Sequence, residues 1–336
     1  MFSRDNRAQR AVKGMAASLL LGLLAACGGG TEQVEEFSPN RYIAFGDATS
    51  VITRPGPQGL KYTVNAVGSD GVSTDCTIST SDQPSLLWTQ ILGNTFNLVF
   101  EECNPSARAV NAFIFAEPAA KADDFAAQVA AARVVHGAFG CNDMMSVLIG
   151  TNDVIDLYER VYLANPTSST ESAVTSELSA RGARLGQAIA ALTANNGPNF
   201  IVSTIPRMNQ TPWGRQQAAD RPDLNIGNVL DNFSNAFNTA LRTNIPNDGS
   251  RWGLVELDAM VNAAVNNPGG YGLENVTRAV CAVGLPGCKN VAGDLVSGGD
   301  PETWLWASDR WMGWQPHSRL GSFARTRARD NPFGCA

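Results

Sequence analysis

The stretch Tyr42-Ile43-Ala44-Phe45-Gly46-Asp47-Ala48-Thr49-Ser50 runs from four apolar residues into a glycine, an acid and three small side chains. A short unbroken apolar run stopped by glycine is the pattern of a strand buried on both faces. The same order returns in Val147-Leu148-Ile149-Gly150-Thr151-Asn152-Asp153. Both stretches therefore place an aspartate and small or amide side chains at the carboxyl end of a strand, where open α/β sheets bind ligands.

Outward from these two stretches, residues 41–45, 145–149, 199–204 and 252–257 read as strands. Residues 123–134, 172–193 and 226–244 show apolar spacing near 3.6 and read as helices. Strand alternating with helix predicts a three-layer α/β/α sandwich around a mostly parallel sheet. Residues 53–100 are irregular, with one expected helix at 85–92, and form an insertion between the first strand and the second. Residues 266–303 are a second irregular stretch. Long loops of this kind build walls at the carboxyl edge of such sheets. Trp304, Trp306, Trp311 and Trp314 crowd the region after it; they suit either core packing or the rim of a cleft for acyl or sugar ligands.

The chain has 336 residues, 44% of them hydrophobic and 17% charged, with a net charge of −6. That length and composition support one folded domain, or at most two, with a full core, and the acidic balance disfavours a nucleic-acid partner. Only two histidines occur, His136 and His317. Multi-histidine metal sites are thereby nearly excluded, no cofactor is implied, and an imidazole base has two candidates. His136, just past a helix, reads as structural.

The first 26 residues read as an address. Arg4, Arg7, Arg10 and Lys13 precede an apolar run from Met15 to Leu24 that is too short to span a bilayer comfortably. The run ends Leu24-Ala25-Ala26-Cys27-Gly28, which resembles a bacterial lipobox. The resemblance implies cleavage before Cys27, lipidation of that cysteine, a tether over residues 27–40 and a domain over 41–336. It also implies a place in the bacterial cell envelope, with Gly28 favouring the outer membrane. The six later cysteines, Cys76, Cys103, Cys141, Cys281, Cys288 and Cys335, are even in number and suit disulfides in an oxidising compartment. Cys281 and Cys288 bracket one short loop and form the pair most readily expected; sequence leaves the full connectivity open.

Taken together, Gly46-Asp47 and Gly150-Thr151-Asn152-Asp153 resemble the first and third blocks of the SGNH or GDSL hydrolase superfamily, and the likeness runs across the whole domain. Ile114 to Ala120 resembles the second block, residues 204–212 the loop after the next strand, and Ala307-Ser308-Asp309 with Pro316 to Leu320 the C-terminal block. The resemblance implies ester hydrolysis by a serine after Gly-Asp, activated by a histidine three residues beyond an aspartate. The oxyanion would be held by backbone N–H groups and an asparagine.

The chain departs from that pattern at three places. Ala48 stands at the nucleophile position, Met312 at the base position three residues after Asp309, and Ala119 where the second block has glycine. Alanine has no attacking oxygen and methionine takes no proton at neutral pH. Asp47, Ala119, Gly150 and Asn152 would then form a binding cradle for an acyl, acetylated-glycan or other small or polymeric ester ligand, without turnover. One alternative is an active esterase with Ser50 or Thr49 as nucleophile and His317 as base, although residue 314, three before His317, is tryptophan. Another is a structural envelope lipoprotein.

Overall fold

The computed structural model describes residues 36–54, 59–68, 76, 85–246 and 249–335. The expected leader (1–26), the lipidation site Cys27 and most of the tether lie outside the described residues. Residues 37–336 form one unit with its own core. At its start the Phe37 ring is buried edge-on against Phe96 and Phe333, and the Asn40 N–H donates to Asn142 O.

Five parallel strands form the central sheet: β1 (Arg41–Gly46), β2 (Ala112–Ile114), β3 (Asp143–Leu148), β4 (Asn199–Ser203) and β5 (Trp252–Val255), in the order β2-β1-β3-β4-β5. The order reverses at β1, between β2 and β3, which is the switch point at which doubly wound sheets open a crevice. β3 and β4 are buried along their whole length and β1 from its second residue onward, the condition that an unbroken apolar run satisfies. The strand following β1 in sequence is β2, not the expected segment near Met145. It has three residues and no periodicity of its own to announce it.

The described helices are α1 (Trp88–Thr95), α2 (Phe125–His136), α3 (Thr151–Leu157), α4 (Ser168–Thr193), α5 (Pro212–Asp220), α6 (Ile226–Thr243), α7 (Leu257–Asn266) and α8 (Trp314–Asp330). Helices flank the sheet, with α1 packed against α8 and α4 packed against α6. The α4–α6 contact is tight because Gly182 and Gly186 face Phe237, Leu241 and Asn244 with no side chain between the backbones. Thr167 starts α4 by accepting the Thr170 N–H on its hydroxyl. α1 begins three residues later than expected, where Gln90 Oε1 accepts the Leu87 N–H and fixes the first turn.

A small pair, β6 (Asn275–Ala279) and β7 (Trp304–Trp306), gives order to part of the second irregular stretch. Disulfides join Cys76 to Cys103, Cys141 to Cys335, and Cys281 to Cys288. Trp304, Trp306 and Trp314 are buried and Trp311 is half-buried. The indoles of Trp306 and Trp314 donate to Val276 O and Val64 O, so the tryptophan cluster is chiefly packing beneath the loop. No helix among the described residues is long and apolar enough to cross a membrane.

Candidate functional site

At the end of β1, Gly46 pairs with Leu148 of β3 and adopts φ +133°. A Cβ there would lie 2.2 Å from Leu148 O, so the strand ends can meet only at glycine. Gly150 does the same work one strand over: its φ is +132° and a Cβ would stand 2.4 Å from the Phe237 ring. Both turns then open directly into helical structure, a 3₁₀ turn at Ala48–Ser50 and α3 after Gly150.

Asp47 caps the first of these turns, its Oδ1 accepting the Thr49 N–H at 3.0 Å. Its Oδ2 is buried and meets the geometry of a hydrogen bond with no partner among the described residues. Burial pushes the carboxyl up to about 7, against the Thr49 hydrogen bonds that lower it, with the nearby Asp153 carboxylate adding to the rise. Ala48, expected at the nucleophile position, is fully buried and presents a methyl group. Thr49 and Ser50 are buried beside it, and the Ser50 hydroxyl accepts the Trp88 indole N–H at 3.2 Å.

Asn152 is half-buried, and its amide nitrogen donates to Pro118 O at 3.1 Å and Ala120 O at 2.9 Å. Both amide hydrogens are thereby committed to the loop after β2, which leaves Oδ1, an acceptor, as the uncommitted end. Ala119 is exposed between those two carbonyls. The loop is tied to the same edge by the Glu117 N–H, which donates to Gly46 O. Asp153, fully buried, accepts the Ala122 N–H and pairs with Arg181 at 2.9 Å. Burial raises its carboxyl above the usual range, and the Arg181 guanidinium opposes the rise without cancelling it.

The C-terminal block lies differently from a triad. Asp309 is exposed and its carboxylate is held by the adjacent Arg310 at 2.8 Å, while its backbone oxygen accepts the Trp213 N–H. Met312 is a buried core side chain whose backbone bridges to Trp306 and whose oxygen accepts the Thr63 hydroxyl. His317 sits in the first turn of α8 and is fully buried. Its Nδ1 accepts the Trp88 N–H at 3.4 Å, capping one of the unpaired donors at the start of α1. With Nδ1 as acceptor, the neutral ring carries its proton on Nε2, which is buried without a partner among the described residues. Burial, with Lys61 adding to it, holds the imidazole down to about 3.

Thus the structure gathers Asp47, Ala48, Gly150 and Asn152 at the carboxyl edge of β1 and β3, and hangs Ser50 and His317 on one residue, Trp88. No hydrogen bond joins His317 to a carboxylate among the described residues. Sequence reasoning did not reach Trp88 or Gln128, the α2 residue that grips Gly46; neither belongs to a motif. Among the described residues no cluster of His, Cys, Asp and Glu is arranged to hold a metal ion.

No protein-family model and no curated protein matches the chain. Similar solved structures include a catalytic mutant of an acetylxylan esterase from Geobacillus stearothermophilus, 15% identical, with 87% of this chain and 94% of that one covered and a TM-score of 0.41. An extracellular lipase from Streptomyces rimosus is 13% identical, covering 86% and 99% at a TM-score of 0.41. A member of the lipolytic G-D-S-L family from Veillonella parvula is 11% identical, covering 86% and 96% at 0.36.

Proposed function

We propose that this protein is a lipid-anchored envelope member of the SGNH/GDSL esterase superfamily that binds an acyl or acetylated-glycan ligand at the carboxyl edge of its sheet without cleaving it. One observation carries the reading: the edge offers a methyl group at Ala48, and His317, linked to it only through Trp88, uses Nδ1 to accept the Trp88 N–H, which puts the neutral ring's proton on the nitrogen that a serine mechanism needs free. A serine-type mechanism needs an oxygen and a free ring nitrogen. Loss of either member of such a pair costs about a million-fold in turnover. The half-exposed Asn152 and the exposed turn at Glu117 and Ala119 supply the accessible rim for recognition.

A second reading, an active hydrolase using Ser50 and His317, is favoured by their common partner Trp88. It requires His317 to turn over its tautomer and release the start of α1. Hydrolysis of short-chain aryl esters, labelling by a fluorophosphonate probe and calorimetric titration with acetylated xylo-oligosaccharide separate the two. The binding reading expects heat of binding with neither turnover nor labelling. Turnover abolished by both Ser50→Ala and His317→Ala overturns it.

A further inference from the structure

The most exposed large hydrophobic side chains of the described residues are Val134, at 87% of full exposure, and Val135, at 67%. They lie side by side in the last turn of α2, which stops at Gly137 in open space with φ +72°. Arg133 precedes them, and its guanidinium stands 5.4 Å over the half-buried Phe139 ring. The His136 ring lies 4.0 Å from the Phe113 ring of the edge strand β2, tilted by 42°, and exposed Val110 lies just before that strand.

This patch belongs to the amino edge of the sheet, opposite the candidate site. Arg41, the first residue of β1, donates to His136 O at 2.8 Å and pairs with Asp143, the first residue of β3. The chain enters the folded unit at the same edge, where Phe37 is buried and the Asn40 N–H donates to Asn142 O. Cys27 precedes Phe37 by ten residues, a reach of at most about 35 Å.

We propose that this edge rests on the phospholipid bilayer that holds Cys27, with Val134 and Val135 in the interfacial layer and Arg133 at the level of the lipid phosphates. Adjacent aliphatic side chains at a helix end, flanked by a guanidinium, suit that boundary. The leash joins the folded unit at this edge, so the proposal puts this edge, and not the carboxyl edge, against the lipid. The candidate site then faces away from the membrane. The proposal rests on the anchoring of Cys27 given under Proposed function.

The test uses the full chain, expressed with its leader and reconstituted in vesicles of phosphatidylethanolamine and phosphatidylglycerol. A photoactivatable p-benzoyl-phenylalanine replaces Val135 in one sample and Val283, an exposed valine of the Cys281–Cys288 loop, in another. Intact mass reports the state of Cys27 and the phospholipid adducts together. Adducts at position 135 and none above background at position 283 support the proposal. A lipidated Cys27 with no adduct at 135, or equal adducts at both positions, overturns the docking and leaves the anchor standing. An unmodified Cys27 overturns the anchor; adducts at 135 on that chain still support the face.

Discussion

The side-chain amide of Gln128 grips the backbone of Gly46 on both sides: the Gly46 N–H donates to Oε1 and Nε2 donates to Gly46 O, each at 2.9 Å. Both partners are buried. Gly46 is in register with Leu148 on the β3 side, but β2 ends at Ile114 opposite Ala44, so the Gly46 N–H finds its acceptor on a helix instead of a strand.

Replacing Gln128 by Leu keeps the volume roughly and strands the Gly46 N–H, while Gly46 O keeps its bond from Glu117. The expected loss is about 2 kcal/mol of unfolding free energy, read from urea denaturation. Gln128→Glu, which retains the acceptor, should lose less at acid pH, where the carboxyl is protonated.

Gly46→Ala forces a methyl group onto Leu148 O and should cost at least about 3 kcal/mol or prevent folding. Gly137→Ala shares the positive φ but meets nothing within 4 Å, so its cost should stay near 1 kcal/mol. Thermal unfolding of the two variants separates crowding from backbone strain; equal losses would contradict the assigned role of Gly46.

Arg181→Met leaves the Asp153 carboxylate buried with only the Ala122 N–H. A loss of about 3 kcal/mol is expected, since removing one partner of a buried pair exposes the desolvation cost of the other. Arg181→Met combined with Asp153→Leu should recover part of it, and a double-mutant cycle in urea measures how much.

Two buried groups set opposing pH dependences. His317 titrates near 3 when folded, below its ordinary 6.5, so the unfolded chain binds more protons between those values and stability rises with pH across that window. Asp47 titrates near 7 when folded, above its ordinary 3.8, so the folded chain binds more protons and stability falls as pH rises from about 4 to 7. Each effect is on the order of 4 kcal/mol and they oppose one another between about 4 and 6.5. His317→Gln should therefore make stability fall more steeply with pH there, and Asp47→Asn should make it rise. Denaturant midpoints at pH 4, 5 and 6 check both signs.

How far the chain could be read in advance depended on the range of the interactions involved. The runs before Gly46 and Gly150 are local, and a buried parallel strand leaves few other readings for them. α4 and α6 were legible because their apolar faces repeat within the segment. β2 was not, since three residues carry no period. At the candidate site the glycines and Asp47 announced themselves by position. The role of His317 did not, because its partner Trp88 is 229 residues away in sequence. Met312 falls three residues after Asp309, yet its burial in the core follows from Trp306 and Thr63, which no local spacing encodes.

Phe37 meets Phe333 edge to face at 5.5 Å, and Cys335 is bonded to Cys141 two residues ahead of β3. Entry and exit of the folded unit are thus neighbours. Such a body can be spliced into a surface loop of a host protein, or have its ends joined and a new opening cut elsewhere, without asking the sheet to rearrange.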